Sequence, residues 1–279
     1  LPGMRISEET RHRVLDAAHQ LNYHPDATAR RMVSGRTHIV GFVLRQSPDQ
    51  AFADHFLPQV LNGLGQAAAA QSYHILFQPL PPKNKTNAYI RLIRERHVDG
   101  IVLSGPRYDD EALLKMQNEG APIVLMGQLP NVNIPFVDVD NVGGARLATE
   151  HLIRLGHKRI ALITNAPLDY TASSDRLAGY KQALKAAQVS FDESLVRYGL
   201  FTPQSWQTAM EELLDLTPRP TAVFIASDTV ALGALQTIRR RGLSVPDDIA
   251  FVGFDDIPLA EFVDPPLTTI RLPAHGLGW

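Results

Sequence analysis

The 279-residue chain contains no cysteine. Neither a disulfide nor a thiolate-bound metal can form, which fits a reducing compartment. No apolar run approaches the roughly eighteen residues that a membrane-spanning helix needs. The ten histidines include no HExxH, and His151 and His157 stand six apart, a spacing that does not put two ligands on one helical face. Gly63-Leu64-Gly65 falls inside a helical pattern rather than in a turn after a strand, and lacks the third spaced glycine of a dinucleotide site. A GxSxG nucleophile elbow and a P-loop are both missing. Catalysis, metal binding and cofactor binding have no residue set behind them, so the expectation is a protein that is not an enzyme and carries no cofactor. A strong charge of one sign is also lacking: 27 Lys and Arg face 29 Asp and Glu. Residues 1–37 carry six basic against four acidic side chains and the remainder carries the acidic excess, so attraction to nucleic acid is confined to the N-terminus.

That N-terminus is the most informative stretch present. Ser7 followed by Glu8-Glu9 reads as a helix start, with the hydroxyl capping the first amides and two acids at the positive end of the dipole. Val14, Leu15, Ala18 and Leu21 recur at helical spacing, and the helix should stop near Asn22 because Pro25 pushes His24 out of helical geometry. Asp26 to Val33 forms a second short candidate, capped by Asp26 and ended by Gly35. So short a helix needs a partner to fold against.

From Ile39 the pattern changes to short β-branched runs separated by amphipathic segments. IVGFVL, YHILF, VDGIVL, PIVLM and FVDVD form one series; RIALI, Leu195 to Tyr198, TAVFI and IAFVGF form a second of similar size. Strands apolar throughout and separated by helices mean parallel sheets covered on both faces. The fold class is α/β, with two doubly wound parallel-sheet lobes facing one another and ligands beyond the carboxyl ends of the strands. The predicted division is 1–24 for a partial helical headpiece, 25–37 for hinge and linker, 38–139 for one lobe, to which the chain returns at about 268–279, and 140–267 for the other.

Taken in order, ISEETRHRVLDAAHQLNYHPDATARRM, ATEHLIRLGHKRIALI, DRLAGYKQAL, SDTVALGAL and VPDDIAFVGFDD followed by PPLTTIR resemble the LacI/GalR family of bacterial transcription regulators, from about Arg5 to Pro273. The resemblance implies a helix-turn-helix headpiece, a hinge helix, a two-lobed core like that of periplasmic binding proteins, and a cytoplasmic homodimer on operator DNA. Relative to the family, the sequence as written starts after the two helices of the helix-turn-helix and stops before the core ends. It is therefore expected to bind operator weakly or not at all by itself, whereas a chain with the two missing helices would bind. Met32 sits where the family usually has the leucine that wedges into a widened minor groove, with Arg30 and Arg31 near phosphates and Ala29 beside them. The alternative is that Ala27 to Met32 is only a linker.

Arg176 opens the helix after the RIALI strand and its loop, and Asp255 directly follows IAFVGF. A guanidinium fork and a carboxylate at neighbouring strand ends suit a polyhydroxylated effector, a sugar or sugar derivative in class, with a structural ion pair or helix contact as the alternative for Arg176. Ser227 and Asp228 follow TAVFI in the same way, and Asp228 has the alternative of capping the next helix. Phe201 and Phe56 match family positions that line the pocket, with core packing as the alternative. Gln128 and Tyr170 complete the candidates. The rival function is the sugar-binding receptor of a transporter, which has the same two-lobed core but no use for a basic N-terminal appendage.

Overall fold

The computed structural model describes residues 7–24, 32–81, 88–130 and 132–279. Helix α1 (Glu8–Gln20) begins as the sequence predicts: Ser7 Oγ accepts from Thr10 N at 3.3 Å. None of its residues is buried, so Val14 and Leu15 remain exposed. Residues 32–34 are helical, and Met32 is 85% exposed. Ala29, Arg30 and Arg31 lie outside the described residues.

The first βα series comprises β1 (Ile39–Leu44), α2 (Pro48–Ala53), α3 (Leu57–Ala70), β2 (His74–Pro79), α4 (Ala88–Arg94), β3 (Gly100–Ser104), α5 (Glu111–Asn118), β4 (Ile123–Met126) and β5 (Phe136–Val137). The second comprises α6 (Asn141–Arg154), β6 (Ile160–Thr164), α7 (Thr171–Ala186), β7 (Val196–Tyr198), α8 (Pro203–Leu214), β8 (Ala222–Ile225), α9 (Asp228–Arg240), β9 (Ala250–Asp255) and β10 (Thr269–Arg271), with α10 (Ala274–Gly278) after it. Each series makes one parallel five-stranded sheet, ordered β2-β1-β3-β4-β5 and β7-β6-β8-β9-β10. The two orders are the same when counted within each lobe. In both, the reversal of strand order lies beside the first strand, where Val40 pairs with Ile75 on one side and Gly100 on the other.

Alternating side chains on these strands feed two cores per sheet. In the first sheet Val43, Leu103 and Leu125 pack with Leu113 and Met116, while Phe42 and Leu44 pack with Leu57 and Val60. In the second, Ile163, Val223 and Ile225 meet Met210, Leu213 and Ile238, and Leu162, Phe224 and Phe254 meet Leu152, Tyr180 and Leu184. Burial on both faces is complete in β6, β8 and β9, which is why those strands read as continuous apolar runs, while β2 and β4 keep half-buried and exposed positions.

Three differences from the sequence reading have local causes. Helix α2 was not expected, yet Ser47-Pro48-Asp49-Gln50 is a capping box with proline in the first turn. Helix α7 starts at Thr171, five residues before the Arg176 that was expected to open it, and its first amide, Thr171 N, donates to Pro106 O at 3.4 Å. The expected return to the first lobe at about 268 comes later: Thr269–Arg271 pairs with β9 in the second sheet, and only Ala274 joins the core of the first lobe. Here Gly63 has its reason, since a Cβ on it would lie 1.9 Å from His275 O of α10.

Candidate functional site

Between the lobes lies a cleft of about 1020 Å³, counting its open mouth. Its walls are strand ends: Leu44, Ser104, Met126 and Asp255 as the last residues of β1, β3, β4 and β9, and Gln46, Asp138, Asn165 and Ser227 just beyond β1, β5, β6 and β8. This is the crevice that doubly wound sheets reserve for ligands.

Arg176 forms the polar centre. Helix α7 approaches α6 closely at Gly179, where a Cβ would lie 2.2 Å from Val142 O. That approach lets Arg176 Nε donate to Asn141 Oδ1 at 3.0 Å, while Nη1 donates to Ala226 O at 2.6 Å. Asn141 Nδ2 in turn donates to Asp138 Oδ1 at 3.1 Å. The guanidinium lies over Phe254, 4.0 Å from the ring centroid. Asp255 accepts from Ser227 Oγ at 2.9 Å, but its other oxygen is 3.9 Å from Arg176 Nη1, too long for a hydrogen bond.

Burial governs the charges. Arg176 and Asp255 are 7% and 5% exposed. Loss of hydration works against the Arg176 charge, and the carboxylates of Asp255, Asp138, Asp54 and Asp228 oppose that effect. Desolvation raises the Asp255 carboxyl well above the ordinary carboxylate value, more than neighbouring Arg176 lowers it. Desolvation also raises Asp54, which reaches the cleft from the first lobe and accepts from Phe56 N at 2.9 Å.

Of the eight effector candidates, six line the cleft: Arg176, Asp255, Ser227, Phe201, Phe56 and Tyr170. Tyr170 stands edge-on to Phe201 with centroids 5.1 Å apart, and its hydroxyl donates across the lobes to Arg45 O at 2.5 Å. Two candidates are corrected. Gln128 is exposed and off the cleft, because Gly127 at φ +111° turns the chain away after β4 and the Gln128 amide is drawn to Asp138 Oδ2 at 2.8 Å. Asp228 is 0% exposed and points beneath the floor. It accepts from Thr269 Oγ1 at 2.6 Å and Ile257 N at 3.0 Å, and so neither faces the cleft nor caps its helix with its side chain. Its task is to hold the turn after β9, where Asp255 and Asp256 have φ of +123° and +58°. Non-glycine residues adopt such angles only when their surroundings enforce them.

Residues missed by sequence reasoning include Asp138, Asn141, Gln46, Gln50, Asp54 and Trp206. The strand-end rule that found Ser227 and Asp255 applies equally to Asp138, Asn141 and Gln46. No local signal marks Asp54 or Trp206, because each turns to the cleft only once its helix has docked.

The lobes are latched on both sides of the cleft. Besides the Tyr170 bond, Gln50 Nε2 donates to Leu200 O at 3.1 Å, Arg107 Nη2 donates to Asp169 Oδ2 at 3.0 Å, and Tyr108 N donates to Asp169 O at 3.0 Å. Arg107 also covers the Tyr170 ring at 4.9 Å. The arrangement is a two-walled clamp with acceptors and donors on both walls and aromatic faces between them.

A family model for the periplasmic binding protein-like domain matches residues 149–279. Over 277 residues the chain is 37% identical to the HTH-type transcriptional regulator CelR of Thermobifida fusca, a match covering 98% of this chain and 81% of that protein. Over 276 residues it is 35% identical to the HTH-type transcriptional repressor CytR of Escherichia coli strain K12, covering 98% of this chain and 79% of that protein. Among solved structures, that of a transcriptional regulator CelR–cellobiose complex matches at a TM-score of 0.80 with 36% identity, covering 98% of this chain and 82% of that one.

Proposed function

Since the chain belongs to the LacI family of transcriptional regulators, we propose that it is a cytoplasmic homodimeric repressor of carbohydrate-use genes whose effector is a neutral sugar held in the interlobe cleft. The observation that carries the effector class is the make-up of the walls: among the described residues lining the cleft, three carboxyl groups, Asp54, Asp138 and Asp255, accompany one cationic side chain, Arg176, whose Nε and Nη1 already donate to Asn141 and Ala226. A phosphorylated ligand would add negative charge to a site already rich in carboxylates, whereas hydroxyl groups meet acceptors and donors on both walls. Phe56 and Phe201 supply flat apolar surface for the faces of sugar rings. The CelR–cellobiose complex makes cellobiose the first sugar to test.

In this reading the effector changes the balance between closed and open lobes, and with it the spacing of the hinge segments containing Ala29, Arg30, Arg31 and Met32 on operator DNA. Effector and operator favour different states, so each alters the affinity of the other by the same factor. The 85% exposure of Met32 in the single chain leaves its side chain available to a partner hinge and a minor groove. The tested effector panel is glucose, cellobiose, maltose, glucose 6-phosphate, uridine and adenosine, titrated calorimetrically. Binding of a neutral sugar in preference to glucose 6-phosphate is the expected result; preference for the phosphate or a nucleoside would replace the proposed class. In a protein carrying a complete helix-turn-helix, Met32→Gly should weaken operator binding in a gel shift while leaving DNA-free effector affinity unchanged. Equal operator binding would remove the wedge role.

A further inference from the structure

The cleft polar groups described above are mostly committed to one another. Arg176 serves Asn141 and Ala226, Asp255 accepts from Ser227, and Asn165 accepts from Ser173 Oγ at 3.0 Å. Two buried groups differ. Trp206, 6% exposed in the first turns of α8, lines the cleft, and its Nε1–H finds no acceptor among the described residues. Gln46, 7% exposed just beyond β1 on the opposite wall, lines the same cleft, and its Oε1 finds no donor among the described residues.

Buried side-chain polar atoms are ordinarily satisfied, because each one left alone keeps its full desolvation cost. An unpaired donor on one lobe and an unpaired acceptor on the other are hydrogen-bonding groups of the cleft walls that the described residues leave unsatisfied, and a ligand closed between the lobes can supply the complement. Trp206 is also firmly held. Its ring packs against Gly233 of α9, where a Cβ would come within 3.3 Å of Cε3, and Thr202 caps the helix that presents it. A rigid indole donor is a selective one, since it cannot turn to find a substitute acceptor.

We infer that Trp206 and Gln46 are specificity-determining effector contacts, with Trp206 Nε1 donating to a sugar oxygen and Gln46 Oε1 accepting from a sugar hydroxyl. The inference rests on the cleft being the effector site. A hydroxylated neutral ligand meets both demands, whereas a ligand offering only acceptors leaves Gln46 unpaired.

The test uses the full chain and three variants: Trp206→Phe, which removes the N–H donor and keeps a smaller aromatic ring, Gln46→Leu, which removes the acceptor at nearly constant size, and Trp279→Phe as control for a tryptophan-to-phenylalanine change away from the cleft. Each is titrated calorimetrically with whichever of glucose, cellobiose and maltose the wild type binds. The first two variants should bind roughly three- to tenfold more weakly, the loss expected for one hydrogen bond, with Trp279→Phe unchanged. The chain has only two tryptophans, and Trp279 is exposed. A sugar-induced change in tryptophan fluorescence should accordingly persist in Trp279→Phe and vanish in Trp206→Phe. Wild-type affinity in both Trp206→Phe and Gln46→Leu would overturn the assignment. Should Trp206→Phe fail to fold, Gln46→Leu and the fluorescence of Trp279→Phe decide it. Binding of uridine or adenosine but no neutral sugar overturns the sugar reading alone; the variants are then titrated with that nucleoside, and undiminished affinity would sink the Trp206 and Gln46 contacts as well.

Discussion

At Arg176 a structural role and the proposed effector contact meet in one side chain. Arg176→Ala should weaken effector binding. The hydrogen bonds to Asn141 Oδ1 and Ala226 O are buried, so the substitution should also lower unfolding stability by about 1–3 kcal/mol. Paired calorimetry and thermal unfolding would show both losses; unchanged effector affinity would take Arg176 out of the site. Asp255 makes the opposite kind of prediction. Its folded carboxyl titrates well above the ordinary value of 3.8, chiefly through desolvation. The folded state then holds the proton more tightly than the unfolded state, so the wild type loses stability as pH rises from about that value through the folded pKa. Asp255→Asn keeps an acceptor for Ser227 and removes the titration. It should be the more stable protein at pH 7, with an advantage that shrinks as pH falls toward 3.8, while binding effector more weakly. A stability difference that stays constant with pH would refute the desolvation account.

Helix α2 shows the same economy at the level of an element. Its capping box uses Gln50 Oε1 to accept from Ser47 N at 2.8 Å, which leaves Gln50 Nε2 to reach Leu200 O on the other lobe. Gln50→Glu retains the acceptor for the cap and removes the interlobe donor. The helix should survive while the closed state weakens, giving effector affinity lower by roughly two- to tenfold, the equivalent of one hydrogen bond. Equal affinity, by calorimetry, would mean that the bond contributes nothing to closure. Helix α1 is the contrasting case. Its cap and acidic first turn were readable as local chemistry, but its apolar stripe has no buried residue in the single chain.

For the whole molecule, the proposed mechanism turns on the balance between open and closed lobes. Tyr170 joins them twice, through its hydroxyl to Arg45 O and through its ring to the guanidinium of Arg107. Tyr170→Phe keeps the ring and deletes the hydroxyl bond. Small-angle scattering should report a more open average in the absence of effector, and effector affinity should fall because more of the binding energy is spent on closure. An unchanged scattering profile together with unchanged affinity would rule out the latch. By linkage the same substitution should reduce the effector's influence on operator binding, since both ligands act on one equilibrium.

The sequence by itself determined the two parallel lobes, the start of α1, the strand-end placement of Arg176, Ser227 and Asp255, and membership in a regulator family. Each of these depends on short-range pattern: side-chain periodicity, caps, and the polarity of the few residues that follow a strand. Only the tertiary structure decided that Asp228 supports the floor instead of facing the cleft, that Gln128 turns outward, and that β10 stays with the second sheet. It also decided that Gln46, Asp54 and Trp206 line the cleft. The physical reason is distance along the chain: the Tyr170 to Arg45 and Gln50 to Leu200 bonds join residues 125 and 150 positions apart. Burial and an unmet hydrogen bond are properties of packed neighbours, and those neighbours exist only once both lobes have folded and met.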